Sequence, residues 1–203
     1  MMKKISVWTL CALLLAGCAT NEKITGSGLL QSNFQTEVDG KKTDLYVLRN
    51  ANNMEVCVTN FGGRIVSVMV PDKEGIMRDV VLGFDSIQDY IMIPSDFGAS
   101  IGRYANRINQ GRFMLDSVEY ILPRNNYGHC LHGGPQELEL TYLAKDGEEG
   151  FPGNITCKVL MTLTDDNAID IRYEAETDKP TIVNMTNHSY FNLDGDAGSN
   201  AEH

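Results

Sequence analysis

Hydrophobic and polar residues alternate along several short segments of the chain. Met54, Val56 and Val58 alternate with Glu, Cys and Thr at positions 55, 57 and 59. Residues 64–70 form a β-branched run that ends at Pro71. A period of two places successive side chains on opposite faces of a strand. These segments therefore predict β-strands.

Two pairs of such segments predict β-hairpins. Aspartate, asparagine or serine joins the two strands of each pair, and these residue types favour turns. One hairpin covers residues 112–122, with a tight turn near Asp116 and Ser117. The other covers residues 155–174, with its turn at residues 165–167.

The last strand of the second hairpin is amphipathic, which predicts a sheet with one buried face. No segment after residue 18 shows a pattern typical of a helix of three or more turns. Many short antiparallel strands joined by polar turns indicate an all-β fold, either a β-sandwich or a barrel. In the last strand of the second hairpin, one face carries Ile169, Ile171 and Tyr173, and the other carries Asp170, Arg172 and Glu174.

Residues 1–18 predict a lipoprotein signal peptide rather than part of the fold. Lys3 and Lys4 precede an apolar run over residues 5–16, which is too short to span a bilayer comfortably. The run ends in Leu-Ala-Gly before Cys18, a segment that resembles a lipobox. Cleavage there would leave Cys18 as a lipidated first residue. An ordinary signal peptide or a membrane anchor is the alternative.

The lipoprotein interpretation predicts a location in a bacterial cell envelope, periplasmic or associated with the outer membrane. The lipid would be the only attachment to the membrane. Residues 19–32 are polar and contain glycine and serine, which predicts a flexible tether. Residues 33–203 then form one domain, long enough to bury a core.

The balance of acidic and basic residues limits the kinds of molecule that the chain is expected to bind. The chain has 27 acidic and 17 basic residues and a net charge of −10. An acidic chain without a basic stripe argues against nucleic acid, and it is compatible with a neutral substrate such as a sugar. Three cysteines follow the signal, and we expect Cys57 and Cys157 to be core residues on strands. The alternative is a disulfide among these cysteines in an oxidising periplasm, and its pairing cannot be read from spacing alone.

The segment 102–108 (GRYANRI) is richer in polar residues than a plain strand requires. It contains Asn106 and Arg107 just ahead of the first hairpin. Planar amide and guanidinium groups are well shaped to hold hydroxyl oxygens, so these two residues are candidate sugar ligands. The alternative is a loop held by an arginine–carboxylate pair.

The segment 129–134 (HCLHGG) places His132 before two glycines, where backbone can approach a ligand closely. Two alternatives compete with a sugar site. His129, Cys130 and His132 are suitable metal ligands by type. The segment could also be a surface loop without a function.

The segment 184–193 (NMTNHSYFNL) places His188 among amides and aromatic residues. Asn187 and Tyr190 could fix its tautomer and form one wall of a site. The alternative is a core histidine whose hydrogen bonds are satisfied. A further polar segment, residues 147–154, is rich in glycine and predicts a structural turn without chemistry.

Taken in order, these segments resemble the aldose 1-epimerase family, and the similarity runs over residues 34–193. The resemblance implies a large antiparallel β-sandwich of the galactose mutarotase-like supersandwich type. It also implies interconversion of the α and β anomers of aldoses such as galactose and glucose, without a cofactor or a metal. The matching pieces are residues 102–108 (GRYANRI), 111–122, 131–134 (LHGG), 148–154 (EEGFPGN) and 179–193 (KPTIVNMTNHSYFNL).

Ring opening of a hemiacetal needs a base for the anomeric hydroxyl proton and an acid for the ring oxygen. The resemblance implies that His188 is that acid, and an imidazole suits the role because its ordinary pKa is about 6.5. It implies that His132 hydrogen-bonds the sugar near the reacting oxygens, and that Arg107 and Asn106 hold hydroxyl groups. His129 falls outside the matched pattern.

Two features depart from the family pattern. The link between residues 134 and 148 is short, and the only tryptophan, Trp8, lies in the signal. The family's substrate-binding aspartate and glutamate base lie downstream of residues 184–193, so we expect a truncated N-terminal portion of the family domain. The alternative is a non-catalytic carbohydrate-binding remnant that lacks the base. A glycoside hydrolase would need a carboxylate pair that the matched segments do not contain.

Overall fold

The computed structural model describes residues 22–134 and 141–194. The predicted signal peptide with Cys18 and residues 19–21 of the predicted tether lie outside these ranges, as do residues 135–140 and 195–203. Regular structure in the described ranges is dominated by antiparallel strands, which confirms the all-β prediction.

The elements are short and follow one another closely. Strand pairing is antiparallel in every sheet of the described residues. The strands are β1 (Glu37–Val38), β2 (Lys41–Lys42), β3 (Leu45–Arg49), β4 (Glu55–Thr59), β5 (Arg64–Pro71), β6 (Met77–Asp79), β7 (Ser100–Ile101), β8 (Arg107–Ile108), β9 (Arg112–Leu115), β10 (Val118–Ile121), β11 (Cys130–Leu131), β12 (Thr141–Ala144), β13 (Ile155–Leu163), β14 (Ile169–Thr177) and β15 (Thr186–Asn187). The helical elements are α1 (Ile87–Met92) and 3₁₀ turns at Gln31–Phe34, Asn109–Gly111 and Glu148–Gly150.

A four-stranded sheet in the order β3-β4-β5-β6 forms the centre of the fold. Every residue of β4 is buried, because both faces of this strand are covered. On one face Cys57 packs with Leu45 and Val66. On the other, Val56 and Val58 belong to a second apolar cluster. The alternating pattern over residues 54–59 therefore serves two buried faces.

A three-stranded sheet in the order β12-β13-β14 packs on this second cluster. Met161 of β13 and Ile171 of β14 lie against the cluster that contains Val56 and Val58. Two antiparallel sheets thus pack face to face, which is a β-sandwich. In β14 the predicted division holds over residues 169–173, since Ile169, Ile171 and Tyr173 are partly buried whereas Asp170 and Arg172 are exposed. Glu174, which the pattern also predicts on the polar face, is partly buried.

Both predicted hairpins are present. β9 and β10 are joined by Asp116 and Ser117, whose φ values of 48° and 65° are both left-handed. A two-residue turn of this kind matches the twist of the strands that it joins. In the second hairpin Asn167 takes the left-handed conformation with φ 64°.

The structure contradicts the predicted flexible tether over residues 22–32, which are packed on the central sheet. Leu29 is 7% exposed and belongs to the same apolar cluster as Cys57. The backbone N–H of Gly26 donates to Glu55 Oε1 at 2.7 Å. A β-carbon at Gly26 would lie 3.1 Å from this carboxylate, so the glycine permits a close approach rather than flexibility.

The cysteines beyond the signal are free and buried. Cys57 on β4 and Cys157 on β13 are core residues, as predicted, and Cys130 on β11 is also fully buried. Burial, with the nearby Glu55 carboxylate, raises the pKa of the Cys57 thiol to about 12. These thiols therefore contribute packing rather than chemistry.

Helical structure is sparse in the described part of the chain. α1 follows Ser86, whose Oγ accepts the backbone N–H of Asp89 at 3.1 Å and so caps the helix. Within residues 22–134 and 141–194, no helix combines the length and the apolar character needed to cross a bilayer.

Candidate active site

Two short strand pairs bring the polar segments of the chain to one cleft. β8, which contains Arg107, pairs with β11, which ends just before His132. β15 ends just before His188 and pairs with β7. The cleft has a volume of about 730 Å³, which is in the usual range for small-molecule sites. His132, His188, Arg107 and Asn106 all line it.

His188 is positioned through its backbone. Its N–H donates to the carbonyl of Ala99 at 2.8 Å, and its carbonyl accepts from the N–H of Gly98 at 3.2 Å. The Asn187 side chain donates to the Gly98 carbonyl at 2.8 Å and accepts from the N–H of Ser189 at 3.0 Å. Asn187 therefore fixes the local backbone, and these bonds leave the tautomer of His188 to other groups.

His132 is held by a reciprocal pair of hydrogen bonds with Asn106. The backbone N–H of His132 donates to the Asn106 carbonyl at 2.9 Å. The backbone N–H of Asn106 donates to His132 Nδ1 at 3.1 Å. Because a donor faces Nδ1, the neutral ring carries its proton on Nε2. The ring therefore presents an N–H donor on its far side.

The glycine after His132 makes this arrangement sterically possible. Gly133 has φ +80° and packs against the peptide that joins Gly102 and Arg103. A β-carbon at Gly133 would lie 2.9 Å from Arg103 N and Gly102 O, closer than side chains tolerate. Gly133 thus brings the His132 turn against the backbone of the GRYANRI segment.

The imidazole rings of His132 and His188 lie side by side in the cleft, in an edge-to-face arrangement. Their centroids are 5.1 Å apart and their planes are nearly perpendicular, at 86°. The Tyr190 ring lies 5.2 Å from the His188 ring, and the Phe97 ring lies 5.1 Å from the Tyr190 ring. Tyr190 therefore forms part of the wall beside His188, and aromatic carbon accompanies the hydrogen-bonding groups.

A carboxylate lies beside the two histidines. Asp96 Oδ2 is 4.0 Å from His132 Nε2, and the Asp96 side chain is 44% exposed. Nitrogen and oxygen atoms of Asp96, His132 and His188 all lie within 4.8 Å of one another. Burial lowers the pKa of His132, Asp96 opposes that effect, and His188 and Arg107 add to it.

The hydrogen bond at His132 Nδ1 bears on whether this group is a metal centre. A metal-bound imidazole uses a deprotonated nitrogen and donates its other N–H to an acceptor. At His132 the arrangement is reversed, because Nδ1 already accepts from Asn106 and the proton lies on Nε2. We therefore interpret the group as an acid–base cluster. The alternative set from the sequence, His129, Cys130 and His132, is not grouped in the described residues.

The two arginines of the GRYANRI segment have different surroundings. Arg107 is exposed on the rim of the cleft, and its Nε donates to Asn126 Oδ1 at 3.1 Å. Arg103 is 6% exposed and donates to the carbonyls of Pro152 and Gly153 at 2.8 and 3.1 Å. Arg103 thus anchors the turn at residues 147–154, as expected for a structural segment.

The same segments match a known family. The family model described as aldose 1-epimerase matches residues 44–203, which is more than half of the chain. This chain belongs to the aldose 1-epimerase family. The match includes every segment on which the resemblance in sequence rested.

Curated relatives of this aldose 1-epimerase family chain have the expected names. It is 38% identical over 180 residues to the aldose 1-epimerase of Escherichia coli K12, covering 81% of this chain and 52% of that protein. It is 40% identical over 164 residues to the galactose mutarotase of Bos taurus, covering 74% of this chain and 48% of that protein. The chain spans about half the length of these relatives.

Solved structures agree with the family and the fold. The chain is similar to a GalM/aldose epimerase homologue from C. elegans, with a TM-score of 0.72 and 31% identity over 76% of this chain and 52% of that one. A galactose 1-epimerase from Lactobacillus acidophilus gives a TM-score of 0.69 with 28% identity, over 78% of this chain and 51% of that one.

For this aldose 1-epimerase family chain, the structure brings together all four site residues that the sequence predicts. His129 lies apart from the cleft lining, and its Nδ1 accepts the backbone N–H of Gln110 at 3.0 Å. Asp96 could not be recognised from the sequence, because it stands in an ordinary loop segment and reaches the histidines only through the fold.

Proposed function

We propose that this chain interconverts the α and β anomers of aldohexoses such as galactose and glucose. The observation that carries the proposal is the pair of imidazoles, His132 and His188, 5.1 Å apart in a cleft of about 730 Å³. Support also comes from relatives named aldose 1-epimerase and galactose mutarotase, of which the chain spans about half.

The chemistry requires proton transfer at two oxygens bonded to one carbon. His188 donates a proton to the ring oxygen as the bond from the anomeric carbon to that oxygen breaks. A base takes the proton of the anomeric hydroxyl, and an aldehyde forms. After rotation, the freed hydroxyl attacks the aldehyde from the other face, and both protons return. No oxidant or cofactor enters the balance of this reaction.

The remaining lining groups support a sugar as the ligand. The Nε2–H of His132 is a donor for an oxygen near the anomeric centre. Arg107 and Asn106 on the rim add a guanidinium and an amide, which suit vicinal hydroxyl groups. These groups are polar and compact, as expected for recognition of a neutral hexose.

Polarimetry on the full chain tests the proposal. Freshly dissolved α-D-galactose and α-D-glucose should approach their equilibrium rotation faster with protein than in buffer alone. His188→Ala should abolish the acceleration, whereas His129→Ala, a histidine outside the cleft, should retain it. A rate equal to that of buffer, with galactose still bound in calorimetry, would favour a carbohydrate-binding remnant instead of an enzyme.

We also propose that the protein is lipid-anchored in a bacterial cell envelope through Cys18. The support is the order of basic, apolar and small residues over positions 1–18. An anomer of an incoming sugar would then be processed at the envelope.

A further inference from the structure

Asp96 is the only acidic residue among the described residues that line the cleft. Its carboxylate lies 4.0 Å from His132 Nε2, and it shares a group within 4.8 Å with His188. Nothing in the chemistry above has used this carboxylate. Its position raises the question of what a single negative charge does beside two imidazoles.

The loop that carries Asp96 is fixed by a buried arginine. Arg64 is 1% exposed, and its Nη1 donates to the carbonyls of Ser95 and Phe97 at 3.1 and 2.8 Å, on either side of Asp96. The guanidinium also lies 4.7 Å from the centre of the Tyr90 ring. The buried guanidinium of Arg64 therefore holds the loop that carries Asp96 in place.

The other end of the loop is fixed between β5 and the residue that follows β15. The Gly98 carbonyl accepts from the N–H of Ile65 at 3.0 Å, and the Gly98 N–H donates to the carbonyl of His188 at 3.2 Å. The backbone of His188 is thus bonded directly to the loop that carries Asp96. These bonds fix the backbone that flanks Asp96 relative to the backbone of His188.

The charges around the pair explain why a carboxylate matters. The His188 ring and the Arg107 guanidinium both disfavour an added charge on His132 and lower its pKa. Tyr190 contributes a neutral ring beside His188. Among the described residues that line the cleft, Asp96 is the one whose charge favours an added proton on His132.

We propose that Asp96 is a positioning residue for the reaction, whose carboxylate favours retention of a proton on the His132–His188 pair, so that an acid is available for the ring oxygen. This inference rests on the proposed function. Loss of the carboxylate removes the negative charge that lies within 4.8 Å of both imidazoles, so the acid is lost at a lower pH. The alkaline limb of the pH profile for kcat/KM therefore moves toward lower pH.

The test compares Asp96→Asn and Asp96→Glu with a matched control, Asp170→Asn, which removes the same charge from the exposed face of β14. Polarimetric rates are measured between pH 5 and 9, and the titrations of His132 and His188 are followed by NMR in sugar-free protein. Assignments come from single His→Gln variants. We expect Asp96→Asn to lower the titration midpoint of His132 by about half a unit to one unit, with partial restoration in Asp96→Glu.

The two readouts separate the possible failures. Unchanged midpoints and an unchanged alkaline limb in Asp96→Asn, in an active protein, would overturn the inference and leave the proposed function intact. A uniform fall in kcat/KM at every pH would also overturn it, because that is the result expected from a structural or direct-binding role. If the unmodified chain does not accelerate mutarotation, the proposed function fails, and the NMR midpoints alone then show whether the charge coupling exists.

Discussion

Asn106 and His132 exchange two hydrogen bonds, one from the His132 backbone N–H at 2.9 Å and one to His132 Nδ1 at 3.1 Å. The second bond determines which ring nitrogen carries the proton. Asn106, which the sequence predicts to be a sugar ligand, thus also orients the His132 imidazole through its backbone. Its left-handed conformation, with φ +64°, makes this geometry possible.

We expect His132→Ala to lower kcat/KM for mutarotation by about 10²- to 10³-fold, because the Nε2–H donor near the reacting oxygens is lost. His129→Ala is the matched control. His129 lies at the other end of β11, and its Nδ1 also accepts a backbone N–H, but it is outside the cleft. Equal losses in the two variants would show that the loop, and not the His132 ring, matters for the rate.

A second prediction concerns the glycine that follows His132. We expect Gly133→Ala to destabilise the fold and displace His132, because the added carbon meets Arg103 N and Gly102 O at 2.9 Å. Gly128→Ala is the control, since Gly128 has a similar φ of +81° but open space around it. Both variants should lose about 1–2 kcal/mol for the left-handed conformation. Only Gly133→Ala should lose more than this in urea unfolding and also lose activity.

The strands could be predicted because their signal is local. The alternation at residues 169–174 and the turn residues Asp116 and Ser117 are visible in a few consecutive positions. The predicted tether failed for the opposite reason. Gly26 is a flexible residue in isolation, and its role depends on the carboxylate of Glu55, 29 residues away.

The candidate site shows the same difference between residues with a local sequence signal and residues whose position depends on distant contacts. Motifs of the family identified His132 and His188, because their neighbouring residues form long, specific segments. Asp96 has no such signature. Its position depends on the bonds from Arg64 to the flanking carbonyls, which join parts of the chain more than 30 residues apart. Hydrogen bonds between such distant residues cannot be predicted from the pattern of a single sequence.

Substitutions of the two arginines in the GRYANRI segment should have different effects, one on substrate binding and the other on the stability of the fold. Arg107→Ala should raise KM about tenfold with little change in thermal stability, because its guanidinium is exposed on the cleft rim. Arg103→Ala should lower the free energy of unfolding by roughly 1–3 kcal/mol, because buried carbonyls of Pro152 and Gly153 lose their donor. Steady-state polarimetry and urea titrations measure the two effects. A destabilised Arg107→Ala with normal KM would contradict the assignment.

The lowered pKa of His132 predicts a dependence of stability on pH. Burial makes the folded-state pKa lower than the unfolded value of about 6.5, so the unfolded chain binds the proton more readily. The stability that comes from this site is present above that value and decreases as pH falls through the folded pKa. Between pH 7.5 and 5, His132→Gln should therefore lose less free energy of unfolding than the unmodified chain. The comparison uses denaturant titrations at both values, with His129→Gln as control, and a parallel loss in both variants would contradict it.

The proposed lipid anchor can be tested independently of catalysis. In cells grown with radiolabelled palmitate, the unmodified chain should become labelled and sediment with membranes, because lipid on Cys18 provides the apolar surface for attachment. Cys18→Ala should lose both the label and the sedimentation. Cys11→Ala, which removes a thiol within the same apolar run, should keep both, since it does not alter the acylated position. Persistent labelling of Cys18→Ala would place the lipid elsewhere, whereas membrane association without label would favour an uncleaved anchor.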